Sequence, residues 1–386
     1  MNLYRLTDTD FSNILRIKEY LHAHPELSLH EHKTTALIKD FLTCLNIELL
    51  DTGKPTGAVG LIRGHDSSKV IALRADIDAL PYQEEPADYP ISSVPNVMHG
   101  CGHDFHTACL LGAALLLSRQ KPPFDVMLVF QHAEELNFGA RDLISSGFFE
   151  KHPFDAMYGL HNRTEIPAGK VVVKEGPLMS AKDNIRIKIH GKGGHSSMPE
   201  KCKDTILASA ATITALNTIV SRNIAPLDTA VLTICSINGG NENNHPVDEV
   251  IITGSLRSYT DEVRDILMSR IGDIVKHVPM AYGCTGEFEL INHGPAIINS
   301  NEMYRRAKII AHKAMGDDCI MESNPCLASE DFSEYSVIAP TFFYWLGSGY
   351  MDKQNFPWHS NRFSTNNEAL RYGSELLAYC GFLGLT

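Results

Sequence analysis

No stretch of this chain is apolar for long enough to cross a bilayer. The longest such run, ACLLGAALLLS at residues 108–118, falls well short of the roughly 20 residues a membrane helix needs and reads as a buried helix. Excess positive charge is missing too. Lys and Arg number 34 against 46 Asp and Glu, a net charge of −12, which argues against nonspecific nucleic-acid binding and against anionic membrane surfaces. The opening residues, MNLYRLTDTDFSN, have neither a basic start nor an apolar core, so no signal peptide is expected. An even set of cysteines is also lacking. Nine are scattered at 44, 101, 109, 202, 235, 284, 319, 326 and 380, and in a long chain without an export signal this implies reduced thiols and a cytoplasmic setting. Repeats and low-complexity linkers are absent. The glycine-rich GKGGH at 191–195 lacks the spacing of a phosphate-loop lysine and does not open a helix after a buried strand.

What is present is enough for a large folded protein. The 386 residues exceed one ordinary core, and 44% hydrophobic with 21% charged residues place the chain among globular proteins. Apolar spacing predicts helices in FSNILRIKEYLHAHPEL, stopping near Pro25, and in HKTTALIKDFLTCLNI. Strands are expected at GAVGLIR, KVIALRA, DVMLVFQH and DAMYGLH, with helices over 105–118 and in GARDLISSGFF. Strand and helix alternate, and the strands are nearly continuous apolar runs. That pattern implies an α/β domain on a mixed, largely parallel sheet covered on both faces. After residue 182 the period changes. NIRIKIHG alternates every second residue, and a long helix (204–222), two strands, a second helix and a last strand follow. The order β-α-β-β-α-β is ferredoxin-like. From about residue 297 helix and strand return, ending in a helix from Asn366. The expected domains are therefore a discontinuous catalytic domain, 1–182 and 297–386, split by an inserted α+β domain, 183–296.

Ligands of open α/β sheets sit outside the carboxyl ends of the strands. At those ends stand Asp76 and Asp78, the pair Glu134–Glu135, and His161; the loop VMHGCGHDFHTA opens the helix at 105, and His359 lies far downstream in FPWHSNRF. Cys101 and His103 are two apart, so an extended loop points both the same way. A thiolate with imidazoles and carboxylates suits Zn²⁺, Mn²⁺ or Co²⁺. Adjacent glutamates diverge, leaving one to bind metal and the other to take a proton from a bound water. Taken singly, each feature has a plainer reading: a solvated Glu–Glu pair, a buried cysteine acting as a small hydrophobe, a structural histidine. Their convergence on one rim favours a site. A thiol–imidazole pair at Cys101 and His103 stays open as the other chemistry, although it gives Glu134, Glu135 and His161 no work. Ser329 in ASEDF reads as a helix N-cap, with Glu330 and Asp331 in the first turn.

With these residues in place, the sequence resembles the M20 metallopeptidase family, in its amidohydrolase branch of hippurate hydrolases, N-acyl-amino-acid amidohydrolases and indoleacetyl-amino-acid hydrolases. HAHPELSLHE, LRADIDALPYQEE, MHGCGHDFHTA, VFQHAEELNFGA, YGLHN, GKGGHSSMPE, VSRNIAPLDTAVLTICSINGG, ASEDFS and WHSNRF carry the likeness in order, along nearly the whole chain. The resemblance implies two divalent ions (Mn²⁺, Zn²⁺, Ni²⁺ or Co²⁺) held by Cys101, His103, Glu135, His161 and His359, with Glu134 as general base. It implies that Asp78, or else Asp76, orients a histidine ligand. His195 would stabilise the oxyanion, in some relatives in the partner subunit's site, and Asn244 and Arg257 would contact the substrate carboxylate. The substrate would be a small N-acyl amino acid, and the protein a homodimer through its lid domain. A dipeptidase or aminopeptidase of the same family is the alternative. The chain departs from the usual pattern at His132, Leu136 and Phe105, and Phe105, Leu136 and Phe138 are expected to reshape the pocket.

Overall fold

The first helix, Asp8–Ala23, begins where Thr7 and Asp10 cap each other, side chain to backbone in both directions, and ends two residues before Pro25. It belongs to a computed structural model that describes residues 5–86, 89–240 and 247–385. The chain divides into two compact units, one of Met1–Leu178, Ile298–Asn324 and Asp331–Thr386, the other of Met179–Ile297 and Pro325–Glu330. Among the described residues no helix is long and apolar enough to cross a membrane.

In the first unit seven strands form one sheet. Its four central strands, Phe124–Gln131, Asp66–Asp76, Ala156–Pro167 and Thr341–Gly349, run parallel in that spatial order. Ala58–Ile62 and Glu48–Leu50 extend one side antiparallel, and Val171–Val172 closes the other antiparallel. The mixed, largely parallel sheet is the one the apolar runs imply. Two flanking strands, Glu48–Leu50 and Val171–Val172, are too short to show a period in sequence. The Asp66–Asp76 strand starts exposed and is buried from Ile71 onward, so its carboxyl end carries Asp76 into the protein.

The helix His103–Arg119 is buried almost all round. It packs on the sheet beside the Ala369–Leu383 helix, with Phe105, Leu110, Leu111, Leu117 and Leu377 in one core. This is why its sequence looks like a short membrane segment: burial on every side erases the polar face. Two expected helices are each interrupted. GARDLISSGFF becomes Gly139–Ser145 and Phe148–Lys151, broken at Gly147 in the left-handed region (φ 73°). The 204–222 helix becomes Thr205–Leu216 and Thr218–Asn223, where the Asn217 side chain bonds the Ile213 carbonyl and competes with the helical backbone.

The second unit is a four-stranded antiparallel sheet in the order Thr285–Gly294, Ala181–His190, Glu249–Ser258, Ala230–Asn238. With the helices Thr205–Leu216 and Asp261–His277 this is the ferredoxin-like β-α-β-β-α-β arrangement. Strict alternation in Ala181–His190 points Ile185, Ile187 and Ile189 at Leu267 and Ile271 of the second helix in one core and leaves Arg186 and Lys188 half-buried.

Candidate metal centre

The polar rim lies at the carboxyl ends of the parallel strands of the first unit. Gly102 caps the helix that starts at His103 with φ 88°, and a Cβ there would stand 2.4 Å from Asn162 Nδ2. Only glycine fits such a turn. The Cys101 and His103 side chains therefore converge through a left-handed turn at a helix start, not along an extended loop.

His103 is fully buried. Its Nδ1 lies 3.0 Å from Asp78 Oδ1, which fixes that nitrogen as the donor. Its Nε2 faces Asp76 at 3.7 Å, Glu135 at 3.8 Å and Glu134 at 4.0 Å, with no hydrogen bond. Burial opposes a charged ring here, but Asp76, Asp78 and Glu135 outweigh it and push its pKa up to about 10. Burial raises Glu135 to about 7, against the pull of His103. The enclosure is rich in carboxylate and demands positive charge.

The two glutamates do not diverge as adjacent strand-end residues would. Both reach the same edge of His103 because the chain has left the strand. Ala133 (φ 52°) and Asn137 (φ 51°) are left-handed, and Phe138 and Gly139 donate back to the Ala133 carbonyl. The strained Ala133 is held by its N–H, which donates to the buried Glu31 at 2.8 Å. Glu135 donates its own N–H to Asp78 Oδ2 at 3.0 Å, and Ser28 donates to the same oxygen at 2.6 Å.

His161 Nδ1 donates to the Asn162 carbonyl at 2.8 Å, leaving Nε2 towards Cys101 Sγ at 3.4 Å. Burial, reinforced by His106, holds the His161 pKa well below 6.5, so the ring is neutral. Trp358 packs edge-on against it, ring centres 4.7 Å apart. His359, also left-handed at φ 64°, donates its N–H to Gly100 and brings Nε2 within 3.5 Å of Glu135 Oε2.

Among the described residues five overlapping groups of donor atoms arise, and two of them meet at the cysteine. Cys101, His103 and His161 have ligand atoms within 4.8 Å of one another, as do Cys101, Glu135 and His359, and Cys101 is common to both. The orphaned His103 Nε2 and Glu135 Oε1, both buried, are the atoms a cation would satisfy, and the mixed S, N and O donors fit a borderline divalent metal.

The remaining expected site residues lie elsewhere. His195 is exposed in the second unit, with Nδ1 2.8 Å from Ser197 Oγ. Arg257 is half-buried on the Glu249–Ser258 strand, where burial lowers its pKa. Asn244 lies outside the described residues. Phe105 does not shape the pocket: it is fully buried in the core, because at the third position of a completely enclosed helix it packs inward. Leu136 and Phe138 are exposed beside the glutamates. Glu31, Ser28, His106, Asn162, Arg74 and Gln131 also support the rim. Asp331 reads in the sequence as a first-turn helix acid, yet its carboxylate is buried. The signal for Arg74 was the two-residue spacing Arg74–Asp76, which puts both on one face of a strand.

The family model described as peptidase family M20/M25/M40 matches residues 72–380. N-acetylcysteine deacetylase of Bacillus subtilis is 35% identical over 370 residues, 95% of each chain. IAA-amino acid hydrolase ILR1-like 4 of Arabidopsis thaliana is 33% identical over 377 residues, 95% of this chain and 84% of that one. The crystal structure of the Bacillus subtilis YxeP protein, described as a dinuclear metal binding peptidase, superposes with a TM-score of 0.86 at 31% identity, covering 98% of this chain and 99% of that one.

Proposed function

The chain belongs to peptidase family M20/M25/M40, a metal-dependent hydrolase, and from that premise we propose that it cleaves the amide bond of small N-acyl amino acids, releasing a carboxylic acid and a free amino acid. One observation carries the reading. Five donor side chains from four separate stretches of sequence form two groups that share Cys101. Cys101, His103, Glu135, His161 and His359 would hold two divalent cations, of the Mn²⁺, Zn²⁺, Ni²⁺ or Co²⁺ class. When bound, such ions acidify a water and polarise the amide carbonyl.

Glu134 is the general base. It accepts the water proton and delivers it to the leaving nitrogen. Asp78 holds His103 in one tautomer through Nδ1 and fixes the Glu135 backbone. His195 donates to the developing oxyanion, a contact worth about 3–4 kcal/mol in comparable sites, and Asn244 and Arg257 receive the substrate carboxylate. The 183–296 domain serves as lid and dimerisation surface. The names of the two relatives support an N-acyl amino acid as substrate. Nine free cysteines support a reducing, cytoplasmic setting.

The test is a panel of N-acetyl- and N-benzoyl-amino acids set against free dipeptides, assayed with Mn²⁺ and with Zn²⁺. Turnover of the N-acylated compounds is expected. Cleavage confined to compounds with a free α-amine would replace this reading with the dipeptidase or aminopeptidase one.

A further inference from the structure

Arg74 is fully buried, with its side chain entirely out of solvent. A guanidinium in such a place must be paired on every side to be tolerated. It donates from Nη1 to Asp76 at 2.9 Å, from Nη2 to Asp331 at 2.8 Å and from Nε to Gln131 Oε1 at 2.9 Å. The two carboxylates lead in different directions.

One direction runs to the cysteine. Asp76 Oδ1 accepts from His106 Nδ1 at 2.6 Å, so His106 Nε2 is the acceptor and takes the Asn162 backbone N–H at 2.9 Å. Asn162 Nδ2 donates in turn to the Cys101 carbonyl at 2.6 Å. The other direction runs to Glu134. Asp331 accepts from Gln131 Nε2 at 2.7 and 2.8 Å and from the Ala140 N–H at 3.0 Å. Tyr335 donates to the Gln131 oxygen at 3.0 Å, which fixes the orientation of that amide. With its side chain held on three sides, Asp331 presents its own backbone N–H to Glu134 Oε1 at 3.3 Å. The other Glu134 oxygen faces His103.

We infer that Arg74 and Asp331 are positioning residues for Glu134: the buried ion pair between them aims the Asp331 amide so that one carboxylate oxygen of Glu134 is held and the other is turned to the metal side. The inference rests on Glu134 being the general base. Neither residue touches substrate. The carboxylate of Asp331 acts through its own main chain, and Arg74 acts through Asp331. A lysine at 74 keeps the charge but, as a point donor on a flexible stem, cannot span both carboxylates.

The test uses the metal-loaded full-length enzyme carrying Asp331→Asn, Arg74→Lys, or either with Glu134→Gln. Each single variant should lower kcat by about 10- to 100-fold, leave KM within about threefold and leave metal content unchanged. In the Glu134→Gln background neither should lower kcat further, since the group they aim is gone. Arg74→Lys serves where Asp331→Asn does not fold. Wild-type kcat in the single variants, or an equal loss in both backgrounds, would overturn the inference. A crystal structure of Asp331→Asn gives an independent reading. The Glu134 carboxylate should leave the amide of residue 331, and an unmoved carboxylate refutes the positioning role whatever the enzyme cleaves. A wild-type enzyme inert towards every N-acyl amino acid would instead refute the proposed function, and the crystallographic result would still stand.

Discussion

Asp78 holds both halves of the site at once: its Oδ1 lies 3.0 Å from His103 Nδ1 and its Oδ2 accepts the Glu135 N–H at 3.0 Å. A single carboxylate thus sets the tautomer of an imidazole 25 residues away in the chain and the backbone of a carboxylate 57 residues away, a pairing that only the fold makes. Asp78→Asn keeps the shape but offers an amide where donors from His103, Ser28 and Glu135 arrive. Metal affinity should fall about 10- to 100-fold, measured by competition with a chromogenic chelator. Unchanged affinity would remove Asp78 from this role.

Glu134→Gln is expected to keep its metal and lose turnover by about 10²- to 10⁴-fold. Steady-state kinetics alongside elemental analysis separate the two effects. Near wild-type hydrolysis by this variant would assign the base elsewhere.

Cys101→Ser separates the two chemistries open to this cysteine. As the donor common to both groups, Cys101 should be needed for metal, so the serine variant should bind less of it and recover activity partly in excess Mn²⁺. A chelator should abolish wild-type activity and added metal restore it. Activity that survives chelation and dies only on thiol alkylation would mark a cysteine nucleophile instead.

Phe105→Ala should cost about 3–5 kcal/mol of stability without changing acyl-group preference, since the ring lies wholly in the core. Leu136 and Phe138, 53% and 41% exposed, should behave in the opposite way. Their alanine variants should unfold like wild type yet shift KM across a series of acyl chain lengths. Denaturant titration and the KM series check both halves.

His22 gives the pH dependence of stability a definite sign. It is buried between Asp104 at 2.8 Å and Glu84 at 3.0 Å. Burial works against its charged form, but these two carboxylates outweigh it and raise its pKa above 6.5. Folding therefore strengthens proton binding at His22. Its contribution is complete below the unfolded pKa and is lost as pH rises through the folded one. His22→Gln should cost about 3–5 kcal/mol near pH 5.5 and progressively less as pH rises through the folded-state pKa. A cost independent of pH would contradict this.

What the sequence disclosed follows from where each signal is stored. Period-two alternation wrote the Ala181–His190 strand plainly, because one face of that sheet is solvated. Continuous apolar runs wrote the central parallel strands, because both faces are covered. The polar ends of those strands pointed to Asp76, Asp78, Glu135 and His161. The turn geometry was hidden at Ala133, which takes left-handed backbone although alanine, unlike Asn137 and His359, has no preference for it. Asp331 and Glu31 were hidden for another reason. Their partners, Arg74 and the Ala133 amide, lie 257 and 102 residues away, and such pairings exist only in the folded chain. Phe105 reads as a pocket residue because its neighbours in sequence belong to the site, whereas its side chain belongs to the core.

The most direct measurement is anomalous diffraction from crystals of the protein equilibrated with Mn²⁺. Two peaks about 3.5–4 Å apart, with Cys101, His103, Glu135, His161 and His359 as ligands and Glu134 bound to neither, are expected. No peak among these five side chains, or ions bound at some other cluster, would contradict the two-cation centre on which the proposed hydrolysis depends.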